Sequence, residues 1–166
     1  MTGAYTPDVL TAKVRDHLKR LTITGQKATV SIAKDPWNVL EILADSPRGL
    51  RFIVHWGGEE ALGDEPAAPL STQRIEVIVA FSLGLKAGVD AALVDSQDER
   101  PSLLAIVSRV RGHVLAMSFG QEDASEGLLR YGGAEPFETP EGVPLAAYRL
   151  KFELDTSMPE IRHLEV

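Results

Sequence analysis

The chain has 166 residues, 44% hydrophobic and 25% charged, which suits one globular domain with a core that needs no covalent staples. It has no cysteine, so disulfides, thiolate metal sites and cysteine nucleophiles are excluded. The net charge is −7, and Lys19-Arg20 is too short a basic cluster to make the footprint of a duplex-DNA-binding protein. Residues 1–5 carry neither a basic stretch nor an apolar run, so no secretory leader is expected. No apolar run approaches the length that crosses a bilayer, so no membrane partner is expected either.

Thr6-Pro7-Asp8 predicts a helix start, with an N-cap hydroxyl, proline at the first helical position and an acid for the helix dipole. Leu10, Val14, Leu18 and Leu21 continue it as one apolar stripe, with Lys13, Arg15, Lys19 and Arg20 on other faces. Residues 27–33 alternate and are rich in β-branched side chains, which predicts a short strand. Asp35-Pro36 repeats the helix-start signal. Trp37, Leu40, Leu43 and Ala44 then predict a short amphipathic helix that ends at residues 46–49.

Residues 50–56 read as a strand with Leu50, Phe52, Val54 and Trp56 on one face. Residues 57–70 are rich in Gly, Pro, Ala and acids and read as an extended acidic loop, longer than most connections inside a domain. Residues 74–83 give the strongest strand: Ile75, Val77, Val79, Phe81 and Leu83 face one way, Arg74, Glu76 and Ser82 the other. Residues 84–99 fit either a loop or a short helix. Residues 101–118 predict a long helix striped by Leu103, Val107, Val110, Val114 and Met117. Two strands close the series, at residues 127–131 and 145–154. In the second, Ala146, Tyr148, Leu150, Phe152 and Leu154 oppose Arg149, Lys151 and Glu153. Such one-sided alternation fits an antiparallel sheet with one covered face.

A search for chemistry finds no catalytic, cofactor-binding or metal site. His17, His55, His113 and His163 show no metal-ligand spacing and read as surface or boundary residues. No Gly-x-Ser-x-Gly nucleophile elbow occurs. Gly84-Leu85-Lys86-Ala87-Gly88 lacks the Gly-Lys-Ser/Thr ending of a phosphate loop and reads as a turn. Asp95, Asp98 and Glu99 lack the alternating acids and central glycine of a calcium loop and read as the polar lead-in to the long helix. Trp37, Trp56, Phe81, Tyr148 and Phe152 occupy core-type positions, so no stacking platform for single strands is expected. The acids at 59–65 and at Glu122, Asp123 and Glu126 read as solvated loops, or as surfaces that repel nucleic acid.

The order of these elements carries a resemblance. The opening helix, the strand at residues 74–81, the helix at 103–115, Leu-Leu-Arg-Tyr-Gly-Gly at 128–133 and the amphipathic strand at 142–154 together resemble the tail terminator and tail-completion proteins of long-tailed bacteriophages and phage-like particles. The resemblance spans most of residues 5–155. It implies a structural virion protein, not an enzyme, that forms a homo-hexameric ring. Such a ring caps the tail tube, joins it to the head–tail connector or neck protein, and lets DNA pass its lumen without specific binding. It also implies assembly in the host cytoplasm and a place in the tail or neck of the virion. The alternatives are a neighbouring neck or connector protein, or a small bacterial α+β ligand-binding module or enzyme. The expected architecture is a single α+β domain over residues 1–155, with one mixed or mostly antiparallel sheet and helices packed on one face. It includes the acidic loop at 57–71 and ends in a tail at 156–166.

Overall fold

The alternating segments around residues 74–83 and 145–154 become, in the computed structural model, two thirteen-residue strands that pair antiparallel along their whole length. The structure describes residues 6–24, 26–45, 49–62, 70–82, 93–94, 101–117, 129–142 and 145–157. In chain order the elements are α1 (Pro7–Leu18), β1 (Ala28–Ala33), α2 (Pro36–Asp45), β2 (Leu50–Leu62), β3 (Leu70–Ser82), α3 (Leu103–Leu115), β4 (Arg130–Pro136) and β5 (Leu145–Ser157). The strands form one sheet in the order β1-β2-β3-β5-β4. β1 and β2 are parallel, with α2 as their crossover, and the other three pairings are antiparallel. The fold is α+β with a single mixed sheet, as the patterning predicts.

Period two sends each strand's apolar set to one face. Leu50, Phe52 and Val54 of β2, Ile75, Val77 and Val79 of β3, and Leu150, Phe152 and Leu154 of β5 pack there beneath α1 and α3. The predicted stripes fill the same core: Leu10, Val14 and Leu18 from α1, Leu103, Val107, Val110 and Val114 from α3, and Met117 just past its end are buried. The α3 N-terminus is closed by Ser102, whose Oγ accepts a hydrogen bond from the Ala105 N–H at 3.3 Å.

α2 departs from the expectation of helices on one face. Its Val39 and Leu43 pack on the other side of the sheet, against Ala33, Ile53, Ile78, Ala80, Leu145 and Ala147. Ile53, Ile78 and Ala80 lie between the residues of the main stripe, so that end of the sheet is apolar on both faces and needs a second cover. The buried stripe of α2 is Val39–Leu43, and Trp37 lies off it with 70% of its surface exposed. Trp37 is therefore not a core residue. Phe152 is fully buried, while Trp56, Phe81 and Tyr148 pack in part against the core.

β2 does not stop at Trp56. It runs on to Leu62 against β3, so Gly57–Leu62 is strand and not loop, and of the expected acidic loop only residues 63–69 lie outside the described residues. The strand survives its glycines because a β-bulge between Trp56 and Gly58 absorbs one residue, with Gly58 at φ +105°. The inserted residue reverses which face the following side chains take, so Glu60 turns to the face of Arg74 and away from that of Trp56. β4 starts three residues later than its predicted position and carries a matching bulge between Tyr131 and Gly133, with Gly133 at φ +108°. β5 extends to Ser157, which places residues 156–157 in the sheet and not in a tail.

Candidate assembly surfaces

Of the four histidines, two meet across the helical layer. The His17 and His113 rings stack with centroids 4.0 Å apart. His17 Nε2–H donates to the His113 carbonyl at 2.7 Å, and His113 Nε2–H donates to the His17 carbonyl at 2.8 Å. Each imidazole thus binds a carbonyl in the last turn of the other helix, and the His17 carbonyl also accepts from the Arg20 N–H at 3.1 Å. Burial, opposed by the hydrogen bond to the His113 carbonyl, holds the His17 pKa below its ordinary value. The pair joins the ends of α1 and α3 into one platform. Beside it lies an open groove of about 680 Å³ lined by Val9, Ala12, Lys13, Asp16, His17, Arg20, Ala116 and Met117.

His55 is buried, not at a boundary. Its Nδ1 lies 3.2 Å from Glu76 Oε2 on the far face of the sheet. The hydrogen bond from His55, larger than the opposing effect of burial, holds the Glu76 pKa below the ordinary carboxylate value. His163 lies outside the described residues, as do Gly84–Gly88, Asp95–Glu99, Glu122, Asp123 and Glu126.

The half of that face not covered by α2 is a field of paired charges. Glu76 also approaches Arg149 at 3.9 Å, Arg149 pairs with Glu135, and Lys151 reaches Glu135 at 3.1 Å. A second chain runs from Glu60 to Arg74 at 2.6 Å, on to Glu153 at 3.6 Å and to Arg130 at 3.7 Å. Arg130 then grips Asp155 through two bonds of 2.5 and 2.9 Å, and Thr72 Oγ1 donates to the same carboxylate at 2.8 Å. The hydrogen bonds from Arg130 hold the Asp155 pKa below the ordinary carboxylate value. The two glycine bulges complete this arrangement. Without the extra residue in each strand, Glu60 and Glu135 would turn to the core face.

Between the bulges lies a cleft of about 310 Å³ lined by Gly57, Gly132, Arg74, Glu76, Lys151 and Glu153, with Ile75 and Phe152 behind them. A Cβ on Gly57 would stand 3.3 Å from Arg74 Cβ, and one on Gly132 would stand 3.4 Å from Lys151 Cβ, so both glycines keep the strands close to these side chains. Four charged side chains, two of each sign, line it, and Arg74 and Glu153 pair with each other at 3.6 Å. Such a surface suits a polar protein contact better than a small-molecule pocket, which wants apolar walls and a few convergent polar groups. Among the described residues no group of three or more His, Asp or Glu side chains is placed to hold a metal ion, and no helix is long and apolar enough to cross a membrane.

Arg51 is a residue that sequence reasoning misses. It is buried on β2, and its Nη1 donates to the Ile42 carbonyl at 2.7 Å, which ties the end of α2 to the sheet. The signal for it was an arginine inside an otherwise apolar strand, directly after a helix that lacks basic residues in its last turn.

No protein-family model matches the sequence, and no curated protein matches it. Solved structures do match. The chain shares its fold with a virion chain. That chain belongs to a structure described as the virion of native gene transfer agent (GTA) particle. The TM-score is 0.53, over 90% of the present chain and 95% of the virion chain, at 14% identity. At that identity the likeness is one of fold, and it spans nearly the whole of both chains.

Proposed function

We propose that this chain is a structural subunit of a phage-like virion, and that within it the chain acts as a tail terminator, forming a homo-hexameric ring that caps the tail tube and meets the head–tail connector. The observation that carries the reading is the near end-to-end likeness of fold to the gene transfer agent virion chain. Two further features support it. A ring requires a heterologous contact between two different patches of the same subunit, and this subunit offers dissimilar surfaces: a helical platform and a charged sheet face. The net charge of −7 suits a lumen through which DNA slides without phosphate contacts. The role is mechanical and needs no catalytic residue.

The experiment is tube growth. Purified chain added to polymerising tail-tube protein of the same particle is expected to bind tube ends and halt elongation, giving tubes of shorter and narrower length distribution. Tubes that grow to the same length with and without it rule out the terminator role. If it binds connector rings but leaves tube length unchanged, the chain is instead the neighbouring connector protein.

A further inference from the structure

The two edges of the sheet, β1 and β4, are built differently. β4 carries devices that keep an edge strand from pairing further. They are the bulge between Tyr131 and Gly133, Pro136 with no N–H to give, and the charges of Arg130 and Glu135. β1 carries none of them. Ala28–Ala33 contains no proline, glycine or charged residue, and it pairs with Leu50–His55 of β2 residue by residue without a register shift. Alternate residues of such a strand turn their N–H and C=O groups away from the neighbour that pairs it. Among the described residues no strand pairs with that side of β1, and Thr29 and Ile32 are exposed.

Charge marks both ends of this open edge. Lys27 directly precedes β1 and Lys34 directly follows it, about 23 Å apart at the rise of a strand. Both are exposed, and neither makes an ion pair among the described residues. The cations of the far sheet face differ: Arg74, Arg130, Arg149 and Lys151 each hold a carboxylate. The same lysines argue against a second copy on this edge. Two β1 strands paired antiparallel in full register set Lys27 against Lys34 of the other copy. Paired parallel, they set each lysine beside its own counterpart. Like charges opposed across a ladder repel. The other edge of a second copy, β4, is closed by its bulge and proline.

We infer that the β1 edge receives an extended strand of a different protein, one with an acidic residue at each end and β-branched residues between, added to the sheet beside β1. Main-chain hydrogen bonds to the outward groups of β1 supply the attachment. Lys27 and Lys34 select the acidic ends and fix the register. Ile32, with 39% of its surface exposed, gives the added strand an apolar neighbour. The inference goes beyond the terminator reading and does not depend on a ring. In a virion the strand belongs to a neighbouring subunit of another kind, and β1 is then a junction surface in addition to the helical groove and the charged face.

The test adds a capped synthetic peptide, Glu-Thr-Val-Thr-Val-Thr-Val-Glu, to the full chain. Binding is read by fluorescence anisotropy and by amide hydrogen exchange. The peptide is expected to bind and to slow exchange at alternate amides of residues 28–33. Lys27→Glu/Lys34→Glu is expected to weaken that binding about tenfold or more, and to bind the same peptide with lysine at its ends instead. Two N-methylated peptides then separate strand addition from charge attraction alone. Each carries methyl groups on one of its two edges, and only the one whose methylated edge meets β1 is expected to lose binding. This comparison uses the wild-type chain, so it stands even if the reversed variant does not fold. No binding, equal binding by both methylated peptides, or equal binding by the charge-reversed variant overturns the inference. So do β1 amides already protected in the chain alone, since the edge is then filled by the chain itself or by a second copy.

Discussion

Phe152→Ala is expected to cost about 3–5 kcal/mol of folding stability, a large share of the ~5–15 kcal/mol that holds a domain of this size together. Phe152 is fully buried on β5, with Ile75 of β3 on one side and Tyr131 of β4 on the other. The Tyr131 ring lies against it at 5.7 Å between centroids in a tilted contact. Truncation removes the transfer energy of the ring and leaves a cavity beneath α3 that the paired strands on both sides cannot close. In a urea titration the midpoint falls with little change in slope, and the melting temperature drops on the order of 10 °C. A loss below about 1 kcal/mol would mean that this face is not the core. Arg74→Ala, on the opposite face, is the natural control. Half of its side chain is exposed and its ion pairs are screened, so the expected change is within about 0.5 kcal/mol.

His17→Ala is expected to cost about 1–2 kcal/mol at neutral pH, from one side-chain hydrogen bond of roughly 1 kcal/mol and a ring contact of similar size, since the bond from His113 to the residue-17 carbonyl stays. The pH dependence identifies the mechanism. Burial lowers the folded-state pKa of His17 below its ordinary 6.5, so the fold favours the neutral ring and the unfolded chain takes up a proton first as pH falls. The stabilisation is therefore fully present above pH 6.5 and is lost as pH drops through the folded pKa. In the wild type, stability should decline as pH falls below about 6.5, and in His17→Ala that decline should flatten. Equal slopes in the two proteins would show that the histidine pair does not couple protonation to folding. At lower pH a second loss is expected in both proteins. Glu76 and Asp155 have folded pKa values lowered by His55 and Arg130 respectively, so their contributions are present at neutral pH and disappear on acidification.

The elements that were legible in the sequence are those whose own residues decide them. The α3 stripe, the alternation of β3 and the alternation of β5 each place a continuous apolar set on one side, and period alone then gives element type and buried face. The far half of β2 was not legible. Gly57-Gly58-Glu59-Glu60 has low strand propensity and reads as a loop, yet it pairs with β3 because the strand next to it continues and the bulge absorbs the misfit. Trp37 was misplaced because its size suggests burial, whereas the phase of α2 is set by Val39 and Leu43.

The assembly surfaces were hidden for a related reason. His17 and His113 are ninety-six residues apart in sequence, and each reads alone as an unremarked surface histidine. The charges of β3 and β5 were correctly expected to face away from the core. Their joining with Glu60 and Glu135 into one paired field depends on two bulges that shift register, and no local pattern shows a register shift. The basic half of α1 and the acidic stretch at 57–70 were both visible as composition. Only the fold shows that one lines a groove and that Gly57–Leu62 of the other is strand.

The most direct measurement of the proposed ring is the native mass of the purified chain at low salt. The account predicts a closed hexamer of the 18.0 kDa subunit, seen as rings by negative-stain microscopy. A monomer at every concentration, above all one whose melting temperature rises with a specific small molecule, would contradict it and point to a ligand-binding module.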